Sequence, residues 1–236
     1  MRTEARVLVV GVGGLGCPCA LALVKAGVLA LRLCDDDIVE ESNLHRQILF
    51  DDASVGKSKL EQAKRALESV AGTVMIELAL GRFLPSTARG LLEGCDLVVE
   101  GADNFATKFL VADACALAGI PVVHAAAVRT YGTALAVGPR GRPCYRCLFE
   151  DVPREEVANC VSAGVLGPMV GVVGALQADL ALATLDGRDV GGTLVTYDAE
   201  TDVLRRTRVS AREGCTLCGP FRRIDVIDER RYITVS

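Results

Sequence analysis

The residues with the clearest chemical potential stand near the start of the chain, in the segment RVLVVGVGGLG that begins at Arg6. An apolar run leads directly into a GxGxxG pattern whose glycines are Gly11, Gly13, Gly14 and Gly16. Glycine permits a tight turn between strand and helix, and its missing Cβ lets a phosphate approach the backbone at the helix N-terminus. The pattern therefore predicts a phosphate-binding turn, with a ligand-free tight turn as the alternative.

An acidic residue follows at the distance expected for a nucleotide ribose. The next apolar run ends in LCDDD, and Asp35 stands about 20 residues beyond the glycine loop, where a ribose-binding acid belongs. NAD and ATP both need a phosphate turn and a ribose acid, so these residues alone leave the nucleotide undecided.

The segment SNLHRQ is the first of three features that favour a polyphosphate. It contains Asn43, whose amide can donate a hydrogen bond, and Arg46, a planar fork donor suited to phosphate oxygens. An ordinary NAD half-site needs no such cluster here. A solvated turn is the alternative for this segment taken alone.

The segment VGKSK is the second feature. It supplies Lys57 and Lys59 near a predicted helix start, where a cation opposes the helix dipole and indicates a bound anion. The tripeptide GKS resembles a P-loop, but Asp51 stands where that loop needs glycine, so a Walker A loop is excluded.

The third feature is VVEGADN, at the end of a predicted strand. Asp103 and Asn104 follow that strand at its carboxyl end, on the same sheet edge as the glycine loop, where ligands bind in open α/β sheets. A carboxylate that faces a triphosphate is the usual means of holding Mg²⁺. The alternative role for Asp103 is to cap the helix that begins at Phe105, and this role is compatible with either nucleotide. The segments together predict an ATP–Mg²⁺ site, because no group is evident for placing a nicotinamide ring.

Four of the ten cysteines form two CxxC pairs, Cys144 with Cys147 and Cys215 with Cys218. One pair could be a redox centre, but two such pairs in a cytosolic chain favour a tetrahedral Cys₄ zinc site. We expect this zinc site to be structural and to tie the loop after the sixth strand to the tail.

The other cysteines fall into two groups. The first group lies in or beside predicted elements and is expected to be buried and inert: Cys17, Cys19, Cys34, Cys95 and Cys115. Cys160 differs because it follows a polar stretch, 150–159, predicted to be a loop. Its candidate roles are a covalent nucleophile and a structural cysteine, and reactivity would require a lowered pKa.

The elements that must position these residues alternate between strand and helix over residues 1–126. The predicted strands are Arg6–Val10, Leu29–Cys34, Val74–Ala79, Asp96–Glu100 and Pro121–Ala126. Helical spacing follows the first, second and fourth of them, at Gly14–Ala26, in GKSKLEQAKRALESV and at Phe105–Leu117. This alternation predicts an α/β fold with a doubly wound, mostly parallel Rossmann-like sheet.

Beyond residue 126 the pattern changes to antiparallel strands. YGTALAVGP predicts another strand, and GGTLVTYDAETDVLRRTRV predicts a hairpin that turns near Glu200. We expect a single domain over 1–236, with a nucleotide-binding half (1–126), a partner-binding and zinc-bearing half (127–219) and a tail (220–236).

Composition narrows the function classes. The 236 residues carry a net charge of −4 without a basic block, and Trp is absent, which argues against nucleic acid and against an anionic membrane surface. The long apolar run Ala163–Leu185 is interrupted by Gln177 and Asp179, so it predicts a buried helix and no membrane span. Without a visible signal peptide, the expected compartment is the cytoplasm.

With these motifs in their observed order, the chain resembles the E1-like (ubiquitin-activating) superfamily. The resemblance rests on GVGGLG, DDDIVEESNLHRQ, VGKSK, ADN, CYRC and CTLC and covers the chain from Arg6 to about Gly219. Within the superfamily it is similar to the bacterial ThiF, MoeB and HesA-type adenylyltransferases of sulfur-carrier proteins for molybdopterin and thiamine synthesis. The resemblance implies adenylation of a carrier's C-terminal Gly-Gly carboxylate by ATP, with release of pyrophosphate.

The resemblance also implies roles for individual residues. Gly14 would approach the nucleotide, and Asp35 would bind the ribose hydroxyls. The phosphates would be held by Ser42, Asn43, Arg46 and Lys59. Asp103 would hold Mg²⁺ with Asn104 beside it, Cys160 would match a position that can link covalently to the carrier, and Arg129 would contact the carrier tail. The resemblance further implies a homodimer.

Two departures from the family pattern lead to further expectations. Only residues 1–5 precede the first strand, whereas family members usually carry a helical segment there with an arginine for the opposite subunit's site. This departure predicts one of three things: a misplaced start of the sequence, weaker phosphate binding or impaired activity. A rhodanese-like C-terminal domain is also missing, so we expect a separate protein to donate the sulfur.

Three other functions stay open at this point. The adenylated acceptor could be another peptide or a tRNA-modifying system. A weakly catalytic zinc-bearing module that binds a ubiquitin-like partner is the second alternative, and an NAD-dependent oxidoreductase is the third. Neither His45 nor His124 enters any of these functions, because a structural role is expected for both.

Overall fold

The computed structural model describes residues 4–153 and 164–232. In these two segments, eight strands form one sheet in the order β3-β2-β1-β4-β5-β6-β7-β8. The strands are β1 (Arg6–Val10), β2 (Ala30–Asp35), β3 (Met75–Leu80), β4 (Leu97–Glu100), β5 (Val122–Val128), β6 (Tyr131–Val137), β7 (Thr193–Asp198) and β8 (Val203–Arg208). Neighbours from β3 to β5 are parallel, and the pairs from β5 to β8 are antiparallel. The predicted fold class, a parallel α/β sheet with an antiparallel extension, is confirmed.

Helices connect and cover these strands. The α-helices of the described residues are α1 (Gly16–Lys25), α2 (Lys59–Val70), α3 (Ala88–Leu92), α4 (Phe105–Ala118), α5 (Tyr145–Phe149) and α6 (Gly167–Leu185), with 3₁₀ turns at Glu41–Asn43, Asp52–Ser54 and Glu229–Tyr232. The sequence predicted α1, α2, α4 and α6 with boundaries shifted by a few residues. It missed α3 and α5, because five residues are too few to show a helical period.

Alternate residues of β1 face two separate cores, which explains the doubly wound arrangement. Val7 and Val9 point into the core beneath α1, α2 and α6, whereas Leu8 and Val10 point into the core beneath α3 and α4. A strand buried on both faces needs an unbroken apolar run, as RVLVV supplies. The glycine turn therefore starts from a strand that is buried on both faces and paired on both sides.

α6 is the helix of the described residues that is long and apolar enough to cross a membrane. It packs instead on α1, β5 and β6. The fully buried Gln177 donates from Nε2 to the backbone oxygens of Glu100 and Val123, both at 2.8 Å, and Asp179 pairs with Arg206 at 2.9 Å on the outside. These polar contacts make α6 a core helix of the sheet, as the interrupted apolar run predicts.

The described part of the tail packs against α4 and the CYRC segment through one buried carboxylate. Asp113 of α4 is fully buried and receives hydrogen bonds from Arg146 Nε and Nη2, at 2.8 and 2.9 Å. Tyr232 donates its hydroxyl to the same carboxylate at 2.8 Å. Arg146 stands between the two cysteines of CYRC, so α4, the first cysteine pair and the tail meet at Asp113. No local sequence pattern indicated this contact.

Candidate nucleotide and zinc sites

The glycine turn joins β1 to α1, and at one position, Gly16, the close backbone contacts of the turn permit only glycine. Gly11 has φ +85° and donates its N–H to the Cys34 oxygen at 2.9 Å. A Cβ on Gly16 would lie 1.9 Å from the Gly11 carbonyl oxygen, a distance that real structures do not show. Gly16 is therefore required by the turn itself, and it does not line the cavity described below.

Gly13 and Gly14 lack such a structural reason. A Cβ on Gly13 would meet only Gln47 Nε2, at 3.7 Å, and one on Gly14 would be in ordinary contact with Val170 and Arg46. Neither residue has a positive φ. Both line an open cavity, so glycine at these positions leaves room for an occupant of that cavity.

That cavity has a volume of about 650 Å³ and lies at the carboxyl edge of β1, β2, β4 and β5. It brings together most of the residues predicted from the sequence: Gly11, Gly13, Gly14, Asp35, Ser42, Asn43, Arg46, Lys59 and Asp103. Gln47 also lines it, and the buried Oε1 of Gln47 has no hydrogen-bond partner among the described residues. A carboxyl-edge cavity with an unsatisfied polar atom is typical of a ligand site in an open α/β sheet.

Asp35 fastens the end of β2 to the glycine turn. Its Oδ2 accepts the Val12 N–H at 2.6 Å, and its Oδ1 accepts the Asp37 N–H at 2.8 Å. Each carboxylate oxygen has two lone pairs, so both oxygens can accept a further hydrogen bond from a ligand hydroxyl. The contact to Val12 was not predicted, because it joins segments that are distant in sequence.

The SNLHRQ segment is held by an acidic residue that the sequence analysis missed. Glu40 Oε2 accepts the Asn43 amide at 3.0 Å and the Ser42 hydroxyl at 3.4 Å. Arg46 donates from Nη2 to Asn43 Oδ1 and from Nη1 to the Ser42 oxygen. These contacts hold the Arg46 guanidinium beside the cavity.

Lys59 begins α2 and lies 5% exposed beside the cavity. Its ammonium pairs with Asp37 Oδ2 at 2.8 Å. A cation at the first turn of a helix is unfavourable for the dipole, and Asp37 offsets this cost in the described structure. Lys57, the other lysine of that segment, is exposed and lies outside the cavity lining.

Carboxylates at the cavity differ in how their charge is compensated. Asp35, Asp36 and Asp37 form the carboxylate group of the described residues that is tight enough for a cation, with ligand atoms within 4.8 Å of one another. Asp37 pairs with Lys59, and Asp36 pairs with Arg82 at 2.8 Å. Asp103 is outside this group.

The Asp103 carboxylate is exposed and faces the same cavity. Within residues 4–153 and 164–232 it has no ion pair, and Asn104 Nδ2 approaches it at 3.5 Å. Asn104 itself caps α4, since its Oδ1 accepts the Thr107 N–H at 2.8 Å. The structure thus gives the cap to Asn104, and the Asp103 charge stays directed at the cavity.

A buried charged cluster lies behind the Asp103 loop, and no sequence signal pointed to it. Glu100 is fully buried and accepts from Lys108 Nζ at 3.0 and 3.1 Å. His124 Nδ1 lies 3.0 Å from Glu100 Oε2, and the buried His124 Nε2 has no partner among the described residues. Burial alone would raise the pKa of Glu100, but Lys108 and His124 outweigh it and leave the pKa below its usual value. Burial lowers the pKa of His124, so the ring is neutral and donates from Nδ1 to Glu100.

The four CxxC cysteines form the second site. The sulfur atoms of Cys144 and Cys215 are 3.4 Å apart, those of Cys147 and Cys218 are 3.3 Å apart, and all four sulfurs lie within 4.8 Å of one another. A tetrahedral zinc–thiolate centre with Zn–S bonds of about 2.3 Å needs sulfurs about 3.8 Å apart, so the donor set fits a zinc ion. The Arg212 N–H also points at Cys147 Sγ, at 3.4 Å, and supports that ligand position.

The remaining predicted residues are placed less centrally. Cys17, Cys19, Cys34, Cys95 and Cys115 are buried, as expected, and burial raises the pKa of Cys17 to about 12. Arg129 is exposed with φ +53° and joins β5 to the residues before α6, through Gly164 and Leu166. Cys160 lies outside the described residues.

The fold and the cavity define a doubly wound α/β protein with a candidate ligand site at the carboxyl edge of its parallel strands. The sequence profile of the ThiF family matches residues 2–217. The chain belongs to the ThiF family, which confirms the resemblance found in the sequence.

Two curated relatives share much of the sequence. The chain is 40% identical over 221 residues to adenylyltransferase and sulfurtransferase MOCS3 of Dictyostelium discoideum, covering 92% of this chain and 52% of that protein. It is 38% identical over 233 residues to the SAMP-activating enzyme E1 of Haloferax volcanii, covering 98% of this chain and 86% of that protein. The chain thus spans about half the length of the MOCS3 relatives that it matches.

A solved structure shares the fold. E. coli MccB, crystallised with AMPCPP and MccA, superposes with a TM-score of 0.81 at 23% identity, over 92% of this chain and 67% of that one. At this identity the likeness shows the fold alone.

Proposed function

We propose that this chain uses ATP to adenylate the C-terminal Gly-Gly carboxylate of a small ubiquitin-like sulfur-carrier protein. One observation carries the proposal: Gly13, Arg46, Lys59 and Asp103, from four separate segments, line one cavity at the carboxyl edge of the sheet. Membership in the ThiF family and the adenylyltransferase and E1 names of the relatives support the same reaction.

In this reaction a carboxylate oxygen of the carrier attacks the α-phosphorus of ATP. A new O–P bond forms, the bond from the α-phosphorus to the bridging oxygen breaks, and pyrophosphate leaves with that electron pair. No proton has to be removed from the nucleophile, because a carboxylate is already ionised at neutral pH. The protein therefore has to align two anions and compensate their charge, more than to supply a general base.

The cavity residues are suited to those tasks. Gly13 and Gly14 leave space for phosphate at the N-terminal end of α1, and Asp35 accepts from the ribose hydroxyls. Arg46 and Lys59 compensate the phosphate charge from one side of the cavity. Ser42 and Asn43 add hydrogen-bond donors there, beside the arginine that they hold.

Small residues line the part of the cavity that would receive the carrier's tail. The end of β5 contributes Ala126, Ala127 and Val128, and the segment before α6 contributes Gly164 and Val165. Two glycines have no side chains, so a Gly-Gly end could reach the nucleotide along such a wall. Arg129 stands beside this wall and is proposed to contact the tail.

Two metal ions belong to the proposal. Mg²⁺ compensates the triphosphate charge when bound, and Asp103 is the residue proposed to hold it, because Asp36 and Asp37 already face Arg82 and Lys59. Zn²⁺ would be held by Cys144, Cys147, Cys215 and Cys218 in a structural role.

The proposal also covers the partners, the oligomeric state and the compartment of the enzyme. A separate protein donates the sulfur, the carrier serves a molybdopterin or thiamine type of pathway, and the enzyme works as a homodimer in the cytoplasm. Cys160 is proposed to act after adenylation, because attack on phosphorus needs no thiol.

Peptide adenylation is the competing function. One MccB structure holds MccA together with AMPCPP, but its 23% identity supports only a common fold. The relatives at 38–40% identity favour a ubiquitin-like carrier.

Carrier-dependent ATP–pyrophosphate exchange tests the proposal. A small ubiquitin-like carrier ending in Gly-Gly should support exchange, and the same carrier without its last two glycines should not. Exchange with a peptide acceptor alone would favour the competing function. If neither the carrier nor a peptide supports exchange, although the intact carrier binds, the protein is a binding module and the proposed reaction is overturned.

A further inference from the structure

The charged cluster of Glu100, Lys108 and His124 lies directly behind the loop that carries Asp103. Glu100 is 0% exposed, His124 2% and Lys108 6%, so none of these groups is a solvent-facing ion pair. Glu100 is the last residue of β4, Lys108 lies in the first turns of α4, and His124 lies in β5. The cluster therefore joins the three elements that border this part of the cavity.

The loop 101–104 is held at its start by a hydrogen bond to the cluster and at its end by the cap of α4. At its start, Glu100 Oε1 accepts the Ala102 N–H at 2.6 Å. At its end, Asn104 caps α4, and Lys108, one turn further along α4, donates from Nζ to Glu100. Lys108 Nζ also donates to the Ala125 oxygen of β5, at 2.6 Å. Asp103 lies between the two fixed ends.

Burying the charges of Glu100 and Lys108 costs free energy, so their position beside the loop 101–104 points to a role other than stability. A buried ion pair is often no more stabilising than well-packed apolar residues of the same volume, because both charges lose their hydration. A second buried pair, Asp113 with Arg146, also stands on α4 but makes no described contact to the loop 101–104. The two clusters therefore allow a loop-specific role to be separated from a general contribution to stability.

We propose that Glu100, Lys108 and His124 are positioning residues that fix the loop 101–104 and so aim the Asp103 carboxylate at the magnesium–nucleotide in the cavity. This inference rests on the proposed function of Asp103. Glu100 and His124 lie outside the cavity lining, and Lys108 reaches that lining with its ammonium held by Glu100 and the Ala125 oxygen. Glu100 holds the loop backbone, Lys108 holds Glu100 to α4 and β5, and His124 fixes the second oxygen of Glu100.

The test compares Glu100→Gln with Asp113→Asn. Both substitutions remove the charge of a fully buried carboxylate that pairs with a basic side chain, Lys108 for Glu100 and Arg146 for Asp113. In Glu100→Gln, the Mg²⁺ concentration for half-maximal pyrophosphate exchange should rise about tenfold or more, the usual cost of losing an outer-shell partner. Calorimetric binding of Mg²⁺–ATP should weaken in parallel. Asp113→Asn should lose thermal stability but keep the wild-type Mg²⁺ dependence.

Amide hydrogen exchange gives a readout that does not depend on activity. The peptide spanning residues 101–104 should exchange faster in Glu100→Gln and at the wild-type rate in Asp113→Asn. Equal Mg²⁺ dependence and equal exchange of this peptide in the two variants would overturn the inference. If Glu100→Gln does not fold, His124→Gln serves in its place, with Tyr232→Phe as the control that loses one bond to Asp113.

A double-mutant cycle with Asp103→Ala separates this inference from the proposed function. If Asp103→Ala alone leaves the Mg²⁺ dependence unchanged, the assignment of Asp103 fails. If Asp103→Ala changes it but Glu100→Gln does not, only the positioning role fails. If both hold, the double variant should show no further change beyond Asp103→Ala, because the loop would have lost the group that it positions.

Discussion

Gly16 lies so close to Gly11 that a Cβ on Gly16 would stand 1.9 Å from the Gly11 carbonyl oxygen. Gly13, only three residues earlier, has an open cavity beside it, and its Cβ would meet a single side-chain atom at 3.7 Å. Two glycines of one motif are thus needed for different reasons: Gly16 is required by the backbone of the turn, and Gly13 leaves room in the cavity.

This difference predicts opposite effects for two alanine substitutions. Gly13→Ala should keep or slightly raise the free energy of unfolding, because alanine restricts the unfolded chain, but should weaken ATP binding about tenfold or more. Gly16→Ala should lower the melting temperature strongly, because the Cβ collides with backbone. Thermal unfolding and nucleotide titration of both variants check this, and unchanged ATP affinity in Gly13→Ala would show that the turn does not hold the nucleotide.

Asp103→Ala should strongly reduce carrier-dependent exchange while leaving the fold intact. The side chain is exposed and makes no described ion pair, so its removal should change the free energy of unfolding by less than about 0.5 kcal/mol. Loss of one charged group that aligns a phosphoryl transfer costs about 100-fold to 1000-fold in turnover. Asp225→Ala, another exposed carboxylate, is the control, and near-normal exchange in Asp103→Ala would remove Asp103 from the site.

The cluster of four cysteines predicts a link between metal content and stability. Purified protein should contain about one zinc ion per chain, and chelation should lower its melting temperature, because structural zinc contributes directly to folding. Cys218→Ala should lose the metal. Cys34→Ala, which removes a buried thiol outside the cluster, should retain it. A metal-free protein whose melting temperature does not respond to a chelator would contradict the assignment.

His124 should make the protein less stable in mild acid. Burial holds its folded-state pKa below the unfolded value of about 6.5, so above that pH both states are neutral and the penalty is absent. As the pH falls from about 6.5 towards the folded pKa, only the unfolded chain takes up the proton, and the free energy of unfolding drops by at most about 1.4 kcal/mol per pH unit. The lowered pKa of Glu100 adds a further loss only in stronger acid, below the usual range for Glu.

Urea unfolding between pH 5 and pH 8 measures this effect. His124→Gln should flatten the dependence of stability on pH, because it removes the buried imidazole. A wild-type profile in His124→Gln would show that another group titrates in this range.

Local signals predicted much of the fold and most of the cavity lining. The strand-to-helix glycine turn, the paired cysteines and the alternation of strands with helices each depend on a few neighbouring residues. Glu100, Lys108 and His124 escaped prediction, because their burial results from pairing across β4, α4 and β5. Lys108 shows the difficulty, because the sequence pattern of a helical lysine is the same whether its side chain is buried or exposed to solvent. Glu40 and Asp37 escaped for a related reason: in an acidic, loop-rich stretch, sequence does not show which carboxylate meets which cation.

Gln177 has a consequence for the order in which the chain can fold. The amide that keeps α6 in the core needs the backbone oxygens of Glu100 in β4 and Val123 in β5, and both strands precede α6 in the chain. During synthesis, the two acceptors have therefore already left the ribosome when the most apolar helix emerges. This order shortens the time for which α6 is exposed to other nascent chains or to a lipid surface, the period in which an apolar helix is most prone to aggregate.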